Sequence, residues 1–220
     1  MCWIILQVRS LNSLKNRKFA DMPIITDINQ LDTNAHYTYA DYLLWQFRER
    51  VELMRGHFRL MAAPNVRYQR ISAEITRRLG NYLEGKNGDV FSAPFDVRLP
   101  LPPQRIKTDK IDTVVQPDIC VICDPSKLDE RGCIGAPELV VEILSPGNSK
   151  REMKEKFDLY ESAGVLEYWV IDPDHEMVLT YILDPVTLAF VSGRPLTDED
   201  TLKSIVLDGF SMDLNLMFRK

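Results

Sequence analysis

Apolar residues recur along this chain with two periods, and the switches between them mark out its elements. In RYQRISAEITRRLGNYLE (67–84), Ile71, Ile75, Leu79, Tyr82 and Leu83 fall on one side of a helix, the stripe of an amphipathic helix packed on a core. TYADYLLWQFRER (38–50) also has helical spacing and predicts a short helix. VELMRGHFRLM (51–61) reads as a β-hairpin turning at Gly56. VFSAPFDVRLP (90–100) and VVQPDICVIC (114–123) read as strands, and the polar segment 102–113 between them as an exposed loop. ELVVEILS (138–145) is apolar but for one glutamate, which predicts a strand buried on both faces. Pro146, Gly147, Asn148 and Ser149 then break the chain, with Ser149 as N-cap of a helix running to about Ala163 and Gly164 ending it. VLEYWVID (165–172) and MVLTYILD (177–184) complete the pattern as strands about a turn at Asp172 to His175.

Strands, a crossover helix and more strands predict an α/β or α+β domain, a mixed sheet flanked by helices. The 220 residues, 45% of them apolar, suffice for one good-sized core. The pattern becomes clear only after Met22, so residues 1–22 are expected to be a poorly ordered extension and 23–220 a single domain. No run reaches the roughly 20 apolar residues that span a bilayer, and the short apolar stretch in MCWIILQVRS reads as neither anchor nor signal peptide. A cytoplasmic protein without a membrane partner is expected. Cys120 and Cys123 spell a CxxC, but residues three apart on a strand point to opposite faces and cannot share one metal. Buried thiols in a reducing compartment account for them.

The informative residues are carboxylates placed where carboxylates are costly. Glu142 interrupts Leu139, Val140, Val141, Ile143 and Leu144, and a buried, unpaired carboxylate costs several kcal/mol or stays protonated. A cation is the economical compensation, and Asp118, heading its own apolar strand after Pro117, is the natural second ligand if the two strands are neighbours. Oxygen donors without a nearby histidine favour magnesium, or manganese, over zinc. A solvated strand-end aspartate and a glutamate paired to arginine would account for either residue alone, and less easily for both. On the helix after Ser149, Lys156 falls within the arc of Met153, Phe157, Leu159, Tyr160 and Ala163, and so faces the sheet. A lysine among core residues either snorkels to the rim or finds an anionic partner. A metal between two carboxylates with an ammonium beside it suits phosphodiester cleavage.

The stretch VVQPDICVICDPSKLDERGCIGAPELVVEILSPGNSKREMKEKFDLYESAGVLEYWVIDP, with VELMRGHFRLMAAPNVRYQRIS before it, resembles the Uma-type family of restriction-endonuclease-like proteins in the PD-(D/E)xK superfamily. PD, VEILSP, a lysine four before a tyrosine and GVxEYWVID together carry that resemblance, over most of the chain after about Asp41. It implies a restriction-endonuclease-like fold, with an N-terminal helix and hairpin before the sheet, and a magnesium-dependent endonuclease acting on DNA. Asp118 becomes the aspartate of PD and Glu142 the acidic residue of (D/E)xK. Leu144 stands where the superfamily lysine belongs, and Lys156 matches the position to which Uma-type proteins move that function. The resemblance also implies that Glu52 joins the metal site or positions water. Tyr68 stands where a histidine is common in the family.

The net charge of −5 does not draw nucleic acid to the whole molecule, so DNA contacts need a local basic patch. Arg67, Arg70 and Arg77 lie off the apolar stripe of their helix, and with Gln69 they are the candidate substrate contacts, although a solvated face gives the same spacing. Two cuts in a duplex are most easily made by a symmetric pair of subunits, which suggests a homodimer. A fold-retaining, inactive nucleic-acid-binding or interaction module is the alternative, motivated by Leu144 and the acidic charge.

Overall fold

The apolar stripe read from residues 67–84 is the buried face of the longest helix, and the sheets are arranged around it. The computed structural model describes residues 23–101, 110–145 and 150–219. In chain order these hold a short helix α1 (Tyr39–Tyr42), a hairpin of β1 (Val51–Met54) and β2 (His57–Leu60), and helix α2 (Val66–Leu83). Then come β3 (Asp89–Ser92), β4 (Val97–Arg98), β5 (Val114–Val115), β6 (Ile119–Ile122), β7 (Leu128–Asp129), β8 (Gly132–Ile134) and β9 (Leu139–Ile143). Helix α3 (Lys150–Ala163) leads to β10 (Glu167–Asp172) and β11 (Met177–Leu183). Short strands β12 (Phe190–Ser192), β13 (Leu196–Thr197), β14 (Thr201–Lys203) and β15 (Ser211–Asp213) and helix α4 (Leu214–Phe218) follow. The proposed extension 1–22, the breaker 146–149 with its N-cap Ser149, and most of the 102–113 loop lie outside the described residues.

The strands form two larger sheets and a two-stranded one. One has the order β2-β1-β5-β4-β8-β7; the other runs β12-β11-β10-β9-β6-β3, with β13 added at β11. In the second sheet β9 and β10 are parallel, joined by α3 as a crossover, while β6 pairs antiparallel with β9. Alternate residues of β6 and β9 supply two cores. Ile119, Val121, Leu139, Val141 and Ile143 pack with α2 and the C-terminal segment. Cys120, Ile122 and Val140 pack with Leu159 and Tyr160 of α3 and with Val97, Val115 and Cys133 of the other sheet. Cys120 and Cys123 contribute to different cores, as the strand alternation requires.

Four segments depart from the sequence reading. The helix expected over 38–50 closes after Tyr42: a capping box between Thr38 and Asp41 starts it, and Trp45 leaves to form a bridge with Ile25. The runs 90–100 and 114–123 each divide between the two sheets, at Pro94 and at Pro117, because proline donates no hydrogen bond to a ladder. The end of the loop expected to be exposed is buried, with Ile111 1% exposed; Ile111 O accepts from Tyr39 N at 2.6 Å and Asp112 O from Gly56 N at 2.7 Å. The hairpin turn is as expected. Arg55 and Gly56 both have positive φ, 49° and 82°, the twist that suits a two-residue hairpin loop, and a Cβ at Gly56 would stand 2.2 Å from the His36 ring.

A buried carboxylate ties the C-terminal segment to β10. Glu167 accepts from Trp169 Nε1 (2.7 Å), Ser204 Oγ (2.6 Å), Ile205 N (2.9 Å) and Val206 N (3.0 Å). Glu167→Ala strands those donors in the interior and is expected to cost on the order of 4 kcal/mol in urea unfolding; a loss below about 1 kcal/mol would show that water or repacking replaces the clamp.

Candidate active site

The site lies where the two sheets meet, and local sequence explains why each side chain arrives there. At Gln116-Pro117 the chain leaves β5 of one sheet and enters β6 of the other, so Asp118 heads a strand whose next residues, Ile119 to Ile122, are all buried. The β6–β9 register pairs Ile119 with Val141. One step further sets Asp118 opposite Glu142, and side chains opposed in this way have Cβ atoms about 4.5–5.5 Å apart. Asp118 Oδ2 accepts from Ile143 N at 2.7 Å, which locks it to the end of β9. The two carboxylates are 7% exposed each.

Helix α3 supplies the counter-charge. Lys156 and Tyr160 are four apart and so share one face; Lys156 Nζ lies 2.8 Å from Glu142 Oε1, and Tyr160 Oη donates to the same oxygen at 2.6 Å. Tyr68 of α2 donates to Asp118 Oδ1. From the other sheet, Glu52 of β1 accepts from Gln116 N at 2.8 Å and stands 3.5 Å from Lys156 Nζ. Gln116 is held in turn by Arg50, whose Nε and Nη2 donate to its Oε1 at 3.2 and 3.0 Å. Asp118, Glu142, Lys156 and Glu52 are therefore brought together, as the sequence reading expected of its catalytic set.

Burial raises the Glu142 carboxyl to about 7, with Asp118 and Glu52 pushing the same way and Lys156 opposing them. Asp118 is raised too, by burial, against the pull of Lys156, the Tyr68 hydroxyl and the Ile143 N–H. For Lys156 burial acts downward, yet Glu142, Glu52 and Asp118 outweigh it and hold the ammonium well above its ordinary value. Burial and the adjacent carboxylates also raise Tyr68 and Tyr160, so both phenols act as donors at neutral pH.

The cluster opens on a cleft of about 240 Å³. Arg50, Arg59 and the apolar residues Leu60, Met61 and Pro64 share its wall with Glu52, Asp118, Glu142 and Lys156. Lys156 and Tyr160 both engage Glu142 through Oε1. Two opposed carboxylates lining an open cleft would suit a hard cation that keeps waters of its own. Among the described residues, no three His, Cys, Asp or Glu side chains are placed to hold a metal ion together, so Asp118 and Glu142 would have to hold it without a third such ligand.

The candidate substrate contacts do not line this cleft. Arg67 pairs with Glu176 at 2.6 Å and Arg77 with Glu74 at 2.7 Å, while Gln69 and Arg70 are exposed on α2. The cleft's arginines are Arg50, just before β1, and Arg59, within β2, and the sequence reading singled out neither. Tyr160 was detectable as the partner of Lys156 at helical spacing; Tyr68, buried on α2, was marked only by the resemblance, as the residue standing where a histidine is common.

Lys156→Met is expected to make the fold more sensitive to pH. Without the ammonium the folded-state pKa of Glu142 rises further above about 7, and a carboxyl raised in the folded state loses stability as pH climbs from its unfolded value to its folded one. Urea unfolding should therefore show a larger penalty for the variant at pH 8 than at pH 6, by about 1 kcal/mol. An equal penalty at both would mean that Lys156 does not govern the ionisation of Glu142.

The comparisons with known proteins bear on the fold and the family. An uncharacterized protein of Synechocystis sp. is 26% identical over 133 residues, 60% of this chain, and the match spans 65% of that relative's length. Among solved structures, a putative nuclease from Anabaena variabilis shares the fold with a TM-score of 0.65 and 18% identity, over 83% of this chain and 97% of the other. The mixed α/β architecture expected from the sequence is the architecture of that neighbour. Residues 39–215 match the family model Uma2, "Putative restriction endonuclease", and the chain belongs to that family.

Proposed function

We propose that this chain is a magnesium-dependent endonuclease that hydrolyses phosphodiester bonds in DNA, with Asp118 and Glu142 as metal ligands and Lys156 as the catalytic cation. The observation that carries the reading is the β6–β9 register, which opposes two buried carboxylates at the mouth of a cleft with an ammonium 2.8 Å from one of them. Family membership and the fold of the neighbouring nuclease support the reaction class. Magnesium, or manganese, would supply charge neutralisation at the phosphate and acidity to a water.

The residues of the chain do the positioning. Tyr68 and Tyr160 each hold one oxygen of a carboxylate, so lone pairs remain for the cleft side, as is usual for groups that orient metal ligands. Lys156 offsets negative charge that develops on the phosphoryl oxygens or orients the attacking water. Its placement on α3 supports that role despite Leu144, since the ammonium reaches Glu142 from the helix rather than from the strand. Glu52 fixes the Gln116 turn and shares Lys156, so its first role is to hold the ammonium in place. Arg50 and Arg59 on the cleft wall are suited to the flanking phosphates.

Plasmid cleavage with magnesium, abolished by chelator, tests this directly. Asp118→Asn and Glu142→Gln are each expected to reduce the rate by at least on the order of 100-fold, and Tyr160→Phe by on the order of tenfold through weaker metal binding. Because Glu142 titrates at about 7 and a metal ligand must be ionised, affinity for magnesium should fall roughly tenfold per pH unit below that value. Cleavage that survives Glu142→Gln, or metal affinity flat between pH 8 and pH 6, contradicts the assignment.

A further inference from the structure

The same turns of α2 that send Tyr68 to Asp118 carry a second feature on another side. A cavity of about 330 Å³ lies between α2 and α4, with Arg67, Arg70 and Arg219 at its polar edge and Ile71, Met217 and Phe218 on its apolar side. The three apolar residues are buried and give the pocket a fixed floor. The guanidinium groups are poorly compensated. Arg67 donates to Glu176 at 2.6 Å, in a pair exposed enough to be worth little. Among the described residues, Arg219 Nε meets the neutral Asn215 Oδ1, at 3.3 Å. Arg70 makes no hydrogen bond or ion pair among the described residues. Among the described residues Glu176 is the one carboxylate that pairs with any of these three cations, and an anion bound between them would relieve their mutual repulsion. Guanidinium prefers phosphate, which it meets with paired N–H donors, and an apolar floor beside those donors accommodates the sugar or base of a nucleotide.

The pocket's position relative to the cleft gives it a meaning. Tyr68 falls between Arg67 and Arg70 in sequence and reaches Asp118, so cleft and pocket are separated by about the width of one helix, ~10–12 Å with side chains. A stacked strand advances ~3.4 Å per nucleotide. We propose that Arg67, Arg70 and Arg219 bind a backbone phosphate of the substrate strand about three nucleotides from the phosphate at the cleft, making α2 the ridge over which the strand is drawn. This rests on the reading of the cleft as a DNA-cleaving site, and it replaces the row of exposed arginines expected on α2 by a pocket that uses two of them and adds Arg219.

The test measures binding of a labelled DNA oligonucleotide by anisotropy, with chelator present to prevent cutting, for the full chain and for the double variant Arg70→Gln, Arg219→Gln. Arg77→Gln is the control, being on the same helix but paired with Glu74 away from the pocket. The double variant is expected to lose roughly tenfold or more in affinity and to lower the salt-dependence slope by about 1–2, while Arg77→Gln changes affinity less than about twofold. Hydrolysis of bis(p-nitrophenyl) phosphate with magnesium, a diester too short to reach the pocket, should be unchanged in the double variant. Placing single neutral methylphosphonate linkages along the oligonucleotide should weaken binding at a position about three nucleotides from the cut, and that effect should vanish in the double variant. Equal losses for the control and the double variant, or unaltered DNA affinity in the double variant, overturn the pocket while leaving the cleft untouched. Loss of DNA binding in the double variant of a protein that hydrolyses neither substrate overturns the nuclease reading instead and keeps the pocket as a phosphate site.

Discussion

Glu52, Asp118 and Glu142 are held away from bulk water around one ammonium, and that arrangement constrains everything near it. Burying one carboxylate without compensation costs several kcal/mol; burial, with Asp118 and Glu52 adding to it, pushes Glu142 up to about 7, and the three carboxylates outweigh burial to hold Lys156 well above its ordinary value. The two tyrosines add donors but no charge. In the proposed reading a divalent cation would offset the carboxylates' charge, and the cleft would be its route in. For a group kept only for stability, an apolar replacement of similar volume is often as good, so the retained charge points to chemistry.

The fold delivers this cluster by dividing its strands. Pro117 ends the ladder of one sheet and starts the next, and the turn there is held by Glu52 through the Gln116 N–H. Each element contributes one or two groups: β1 the glutamate, β6 and β9 the opposed pair, α3 the lysine with its tyrosine, α2 the second tyrosine. Because β9 and α3 are successive parts of a parallel crossover, Lys156 can reach Glu142 across the helix–sheet interface. A lysine two residues beyond Glu142 would share its strand face and compete for the same space. In this chain that position is Leu144, which packs with the α3 core.

Much of this was legible in the sequence, for identifiable reasons. A glutamate among Leu139 to Leu144 is conspicuous because nothing in an apolar strand asks for it, and Lys156 could be assigned to the sheet-facing side because helical spacing fixes direction. The resemblance to the Uma-type family supplied Glu52, which no local pattern distinguishes. What periodicity could not show was pairing: the register that opposes Asp118 to Glu142 depends on contacts between strands distant in sequence, and the division of 90–100 and 114–123 between two sheets depends on where the prolines fall in those ladders. The arginines illustrate the same limit. Arg67, Arg70 and Arg77 look alike on a helical projection, yet Arg77 is spent on Glu74 and Arg70 faces a pocket completed by Arg219, from the far end of the chain.

The account stands or falls on whether Asp118 and Glu142 share a cation. A crystal of the full chain soaked in manganese at about pH 8 should show an anomalous scattering peak between the two carboxylates, on the cleft side of Lys156, and Glu142→Gln should remove it. No peak there in the unsubstituted protein, or a peak unaffected by the substitution, would contradict the central claim and leave the three carboxylates and the lysine as a buried structural ion cluster.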